Sequence, residues 1–398
     1  ILTSGGDCQA LNATMRGVGK GLYNELGSDV EIYGFEEGYK GLIYNEYRLL
    51  TARDFSGILT RGGTILGSSR QSFKNMRIPD ENGLDKVAAM KQNYRRLDLD
   101  CLVILGGNGT QKTANLLCEE GLNIIHLPKT IDNDIAITDH TPGYGSAARY
   151  IAATTAEVGV DVKSLPIHVC VIEAMGRNAG WLTGAAALSK GEDCEGPDLI
   201  YLPELAFDVE KFVEKVRGLL EKKQSVVVAV SEGIRLADGR YVCELTDGVD
   251  YVDAFGHKQL SGTANYLACR IANELGCKAR GIELSTLQRA ASHLVSRIDI
   301  IEAYQVGGAA VKAADEGDTG EMVILERISD DPYQCTTSLR NVHKVSNVEK
   351  VVPRKWINED GDYVTEEFLN YVKPLIQGDV PPIMVDGIPR HLYHNDKW

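Results

Sequence analysis

The chain lacks any long hydrophobic run. Its purely apolar stretches are of the length of Val226–Val230, far below the roughly 20 residues a membrane-spanning helix needs. No membrane partner is expected. A basic surplus is also missing, since 42 Lys+Arg stand against 56 Asp+Glu for a formal charge of -14. Duplex nucleic acid requires a basic footprint, so nucleic acid is not an expected partner. The nine cysteines (Cys8, Cys101, Cys118, Cys170, Cys194, Cys243, Cys269, Cys277, Cys335) include no CxxC pair. Several lie in apolar runs, where a thiol acts as a small hydrophobe. This scatter predicts no zinc site and fits a reduced, cytoplasmic compartment. No secretory leader pattern opens the chain. The absence of GxxxxGK[ST] and of the HRD and DFG motifs argues against P-loop NTPases and protein kinases.

What is present is ordinary globular composition: 398 residues, 43% hydrophobic and 25% charged. That length suggests two or three domains and a sizeable core. Short apolar runs recur, each leading into a glycine-rich or polar turn and several of these into a helix-like stretch. Cys101–Leu105 leads into Gly106–Thr110, residues 124–127 into 128–134, residues 168–173 into 174–180, and residues 225–230 into 231–233. Near-continuous apolar strands alternating with helices indicate an α/β architecture with parallel sheets covered on both faces. In such sheets ligands bind outside the carboxyl ends of the strands, where these turns fall. Ser146 is positioned to cap a helix over 147–158. Residues 191–208 read as loop, and the proline-richer stretch from Pro353 reads as a wrapping extension.

Three turns are rich in glycine: Thr3-Ser-Gly-Gly-Asp7, Gly62-Gly-Thr-Ile-Leu-Gly-Ser-Ser-Arg70 and Gly106-Gly-Asn-Gly-Thr110. Glycine lets backbone N–H groups approach a phosphate closely, and a following helix N-terminus adds partial positive charge. One such turn is ordinary; three, one ending in Arg70, favour phosphate binding. Thr130-Ile-Asp-Asn-Asp134 places two carboxylates two residues apart just after a strand. Alone it reads as a solvated acidic turn. Beside phosphate loops it reads as a proton acceptor and a Mg²⁺ ligand for phosphoryl transfer.

These segments, with Met175-Gly-Arg177, Glu232-Gly233 and Leu287-Gln-Arg289, come in the order found in phosphofructokinases. The resemblance covers about positions 1 to 300. It implies two similar Rossmann-like three-layer α/β domains with mostly parallel sheets and an active site in the cleft between them. Residues 1–145 plus about 288–335 would bind the phosphoryl donor. Residues 146–287 plus about 336–398, the C-terminal extension included, would bind fructose 6-phosphate. The implied reaction phosphorylates the C1 hydroxyl of fructose 6-phosphate, giving fructose 1,6-bisphosphate in glycolysis.

Carried over by position, Asp132 resembles the catalytic base, Thr130 steadies the reacting oxygen, and Asp134 with Asn108 holds Mg²⁺. Gly6, Arg70, Gly107, Asn108, Gly109 and Thr110 match the donor site, with Lys129 as a catalytic cation. Met175, Gly176, Arg177 and Glu232 match sugar contacts, and Arg280, Arg289 and His168 match positions on the 6-phosphate. An arginine at the position of Arg280 reaches across a subunit interface in the family, so a homodimer or homotetramer is implied.

Some positions depart from the best-known bacterial ATP enzymes. His168 stands where an arginine is usual, Thr286 replaces a histidine, and Asn108 replaces an aspartate. In pyrophosphate-using relatives an aspartate fills the position of Gly109. Gly109 leaves room for a nucleotide α-phosphate and favours ATP, whereas Lys129 is typical of pyrophosphate enzymes. ATP is the expected donor and pyrophosphate the alternative. Arg16 lies near an effector arginine position, but weak or no control by nucleotides is expected. A NAD or lipid kinase shares a GGDGT-like loop without explaining Arg177 or Arg289. A non-catalytic sugar-phosphate-binding subunit would be expected to lose Asp132 or Asp134.

Overall fold

The computed structural model describes residues 1–6, 8–69, 71–245, 260–345 and 348–390. They form two compact units. The first takes Ile1–Ser146, Arg289–Glu349 and the described chain after Gln377; the second takes Ala147–Gln288 and Lys350–Ile376. Among the described residues, no helix is long and apolar enough to cross a membrane.

In chain order the first unit contributes β1 (Leu2–Ser4), a hairpin of β2 (Ile32–Phe35) and β3 (Tyr47–Leu50), then β4 (Leu102–Gly106) and β5 (Ile124–Pro128). The second contributes β6 (Val169–Ala174), β7 (Leu199–Tyr201), β8 (Val226–Ser231) and β9 (Ala279–Glu283). The chain returns to the first unit with β10 (Glu321–Asp330), β11 (Tyr333–Asn341) and a hairpin of β12 (Ile383–Val385) and β13 (Ile388–Arg390). The main sheet of the first unit has the order β1-β4-β5-β10-β11, parallel except where β11 runs against β10. That of the second, β7-β8-β6-β9, is wholly parallel.

Strands β4, β6 and β8 are buried along their whole length. Both faces are covered, so the apolar runs are continuous and do not alternate. β11, Tyr-Gln-Cys-Thr-Thr-Ser-Leu-Arg-Asn, is an edge strand with no apolar run and much exposure. It corrects the expected boundary near 335/336. Its pairing with β10, from Asp330↔Tyr333 to Glu321↔Asn341, keeps residues 336–349 in the first unit. Beyond Ile376 the chain also returns there, with Asp379 bridging Ser296. Only Lys350–Ile376 of the expected C-terminal block joins the second unit. The stretch 191–208, expected to be loop, contains the short strand β7.

The helix Tyr144–Ser164 begins before Ser146, so Ser146 is not its cap. Asp299 serves that end instead. Its buried carboxylate accepts from the Gly143 N–H at 2.7 Å, the Ser146 N–H at 3.1 Å and the Ser146 hydroxyl. Asp299→Ala leaves these donors buried and unmatched. The expected loss is about 2–4 kcal/mol of first-unit stability, read from denaturant unfolding.

Candidate active site

In the first unit the three glycine turns meet at the carboxyl ends of β1 and β4. The Ser68 hydroxyl donates to the Gly5 carbonyl at 2.7 Å, and Thr3 Oγ1 donates to the Gly67 carbonyl at 2.9 Å. Asn12 secures the middle turn from the helix Ala10–Leu26. Its Nδ2 donates to the Arg61 carbonyl at 2.9 Å, and its Oδ1 accepts from the Ile65 N–H at 3.0 Å. Lys129, buried just after β5, donates to the Gly6 carbonyl and so ties the first turn to the acidic loop. Arg70 and Asp7 lie outside the described residues.

Gly107 is the N-cap of the helix Asn108–Glu119 and supplies no side-chain cap. The first N–H groups of that helix therefore remain available to an anion. Glycine has a steric reason at Gly106, where a methyl would fall 2.4 Å from Thr110 Oγ1, whereas one at Gly109 would meet nothing among the described residues within 4 Å. Thr110 is buried, its carbonyl accepting from the Tyr39 hydroxyl at 2.8 Å.

The acidic loop is closed on itself. Thr130 bridges Gly143, and the Thr141 hydroxyl donates to the Thr130 carbonyl at 2.8 Å. Between the two aspartates Asn133 has φ 54°, a left-handed conformation that Asn tolerates. Its buried amide oxygen accepts from the Thr141 N–H at 3.1 Å. Asn133 turns inward, leaving Asp132 and Asp134 half-buried on either side. The Asp132 N–H donates to Thr130 Oγ1 at 3.1 Å, and Asn108 Nδ2 donates to Asp134 Oδ2 at 2.9 Å. Burial, then the charges of Asp132 and Glu349, push the Asp134 carboxyl above its usual range. A cation would relieve that repulsion, so these oxygens fit a hard metal such as Mg²⁺.

In the second unit Met175, Gly176 and Arg177 follow β6, and Glu232 follows β8, at the carboxyl ends of neighbouring strands. Gly233 packs so closely that a methyl there would sit 1.9 Å from the Arg177 carbonyl oxygen. The buried Ser231 hydroxyl joins the two loops, donating to the Gly176 carbonyl at 2.6 Å and accepting from the Gly233 N–H at 3.0 Å. Gln288 Oε1 accepts from the Met175 N–H at 3.1 Å. Ser231 and Gln288 hold the loops that carry Met175–Arg177 and Glu232, and they were not among the expected site residues. Adjacency to Glu232 and Arg289 was the only signal for them. Arg289 opens the segment that belongs to the first unit, its carbonyl accepting from Gln9 at 3.4 Å.

His168 and Arg280 are not brought to this group. His168 immediately precedes β6, and Arg280 pairs with Cys170 near the same end; both side chains are exposed. Along β6, His168 lies seven positions before Met175 and Arg280 pairs five positions before it, about 17–23 Å at 3.3 Å per residue. Within one chain, His168 and Arg280 therefore lie apart from Arg177 and Glu232; the resemblance itself places an arginine at the position of Arg280 across a subunit interface. Arg16 donates to the Phe55 carbonyl and serves the fold.

Glu173, near the carboxyl end of β6, accepts from the Ala264 N–H at 2.8 Å in the first turn of the helix Thr263–Leu275. Burial, more than the backbone donors opposing it, pushes its carboxyl from 4.5 to about 7. The folded state therefore keeps a proton that the unfolded chain releases. This contribution to stability is complete below pH 4.5 and is lost as pH rises through about 7, some ~3 kcal/mol in all. Glu173→Gln is expected to flatten that slope and to stabilise the second unit at pH 8. Denaturant unfolding at pH 5 and pH 8 measures it.

Residues 1–314 match the phosphofructokinase family model. A pyrophosphate–fructose 6-phosphate 1-phosphotransferase of Xanthomonas campestris is 35% identical over 98% of this chain and 94% of its own length. An ATP-dependent 6-phosphofructokinase of Spirochaeta thermophila is 41% identical over 82% of this chain and 86% of its own. The crystal structure of a pyrophosphate-dependent phosphofructokinase from Nitrosospira multiformis superposes with TM-score 0.87 at 30% identity, covering 98% of this chain and 94% of that one. The expected preference for ATP gains no support from these names, since the two near-full-length matches are pyrophosphate enzymes. The fold, the order of the glycine turns and acidic loop, and these matches agree on one point: the chain belongs to the phosphofructokinase family.

Proposed function

We propose that this phosphofructokinase transfers the γ-phosphoryl group of ATP to the C1 hydroxyl of fructose 6-phosphate. The observation that carries the donor assignment is the open space at Gly109, where an added methyl meets nothing among the described residues within 4 Å. That space lies in the first turn of the helix Asn108–Glu119, whose N-cap Gly107 supplies no side-chain acceptor, and a nucleotide α-phosphate needs it. Asp132 is the proposed base. A carboxylate is a weak acceptor, which suffices in a loose transition state where the proton leaves as the oxygen attacks. Thr130 would steady the attacking oxygen and Lys129 the phosphate charge. Arg177 and Glu232 would hold the sugar, and Arg289 its 6-phosphate. Asp134, with Asn108 beside it, would hold Mg²⁺, which when bound neutralises charge on the phosphates.

Pyrophosphate as donor is the second reading. It is favoured by the near-full-length relatives and by Lys129, whose Nζ would lie 3.7 Å from a methyl at Gly5. Initial rates with fructose 6-phosphate and Mg²⁺ at matched donor concentrations decide between them. ATP is expected to be at least tenfold faster. A faster rate with pyrophosphate reverses the assignment, and no rate with either donor points to a sugar-phosphate-binding subunit.

The positions of His168 and Arg280 favour a homo-oligomer in which they serve the 6-phosphate bound by another copy. Asp132→Asn and Arg280→Ala chains, each impaired alone, are then expected to complement when co-expressed. Randomly mixed dimers should recover roughly a quarter of wild-type activity, because one site in each heterodimer is whole. Mixtures no more active than the parents would rule out a shared site.

A further inference from the structure

The structure assigns a second metal position, separate from phosphoryl transfer, to His140, Glu302 and Cys335, and the ion it suits is Zn²⁺. The three residues come from the loop after β5, from the helix Arg297–Asp315 and from β11, all in the first unit. Their ligand atoms lie within 4.8 Å of one another. Zinc holds nitrogen and oxygen at about 2.0–2.2 Å and sulfur at about 2.3 Å, so tetrahedral neighbours stand roughly 3.3–3.8 Å apart. His140 Nε2 and Glu302 Oε2, now 2.6 Å apart, need only separate slightly while the sulfur closes in.

The way each ligand is held distinguishes this group from a chance meeting of polar side chains. His140 Nδ1 lies 2.8 Å from Asp139 Oδ2, and Asp139 in turn takes Nε and Nη2 of Arg327, each at 3.1 Å. A carboxylate on Nδ1 fixes the proton there and leaves the Nε2 lone pair for a metal. Tyr333 donates to Glu302 Oε1 at 2.6 Å, which leaves Oε2 facing His140. His140 and Glu302 are buried, whereas Cys335 is half-exposed and opens a path from solvent.

The chemistry selects the ion. A thiolate, a carboxylate and a neutral imidazole together balance a divalent cation, and Arg327 offsets Asp139. Sulfur and imidazole favour Zn²⁺ over Mg²⁺ or Ca²⁺, with water as the fourth ligand. Loading releases the thiol proton and the proton shared between His140 and Glu302, which the ion replaces. The bound ion would pin the far end of the loop that carries Asp132 and Asp134 to a helix and an edge strand.

The test uses the full chain, stripped with a chelator and titrated with Co²⁺ in excess Mg²⁺. One equivalent should bind with tetrahedral ligand-field bands and a thiolate-to-cobalt charge-transfer absorption. Cys335→Ser should abolish the charge-transfer absorption, and His140→Gln should alter the ligand-field bands. Asp139→Asn should keep the charge-transfer absorption but weaken Zn²⁺ binding about 10–100-fold. Circular dichroism of each variant separates loss of metal from loss of fold. Eight other cysteines are present, so charge-transfer absorption that survives Cys335→Ser overturns the assignment. Its absence from the folded wild-type chain overturns it equally.

Discussion

Asp132→Asn is expected to lower turnover about 10²–10⁴-fold while fructose 6-phosphate still binds. The substitution preserves shape and one accepting oxygen but removes the ability to take a proton. Asp132 is half-buried, with its own N–H on Thr130 Oγ1, and the bonds that close the loop include several made by other residues. Asn133, Thr141 and Gly143 make those bonds. Removing its charge also relieves Asp134, so weakened metal binding is not the expected cause of the loss. Single-turnover rates and calorimetric titration with fructose 6-phosphate separate chemistry from binding. Turnover within tenfold of wild type would remove Asp132 from the role of base.

Gly109→Asp is expected to lower the ATP-dependent rate about 100-fold or more, because a juxtaposed like charge costs several kcal/mol. The pyrophosphate-dependent rate should persist or rise. The fold has little reason to suffer: a Cβ added there meets no atom of the described residues within 4 Å, and an acidic residue suits the first turn of a helix that has none. Rates with both donors on the purified variant give the answer. An equal fall with both would mean Gly109 does not discriminate between them, and an unchanged ATP rate would place the α-phosphate elsewhere.

Much of the frame was legible in the chain. β4, β5, β6 and β8 fall within a residue of the apolar runs that predicted them, because strands buried on both faces are marked by composition alone. β7 and β11 were not legible, the first for brevity and the second because an edge strand needs no apolar run. The helix cap at Ser146 was misplaced because the group that caps the helix, Asp299, is supplied from far along the chain. The candidate site residues named from the sequence sit mostly in contiguous motifs, and the buried Ser231 and Gln288 behind them, which no motif marks, were not named.

By itself, then, the sequence determined the α/β class, the glycine turns and the acidic loop, because glycine, apolar runs and paired aspartates act through local backbone geometry. Tertiary structure alone decided three things. It brought the first and middle glycine turns together and tied the first to Lys129, and it set His168 and Arg280 most of a strand's length from Arg177. It also brought His140, Glu302 and Cys335 within ligand distance of one another. Each depends on which strands and helices become neighbours. That is settled by burying the sheets, and no spacing along the chain records it.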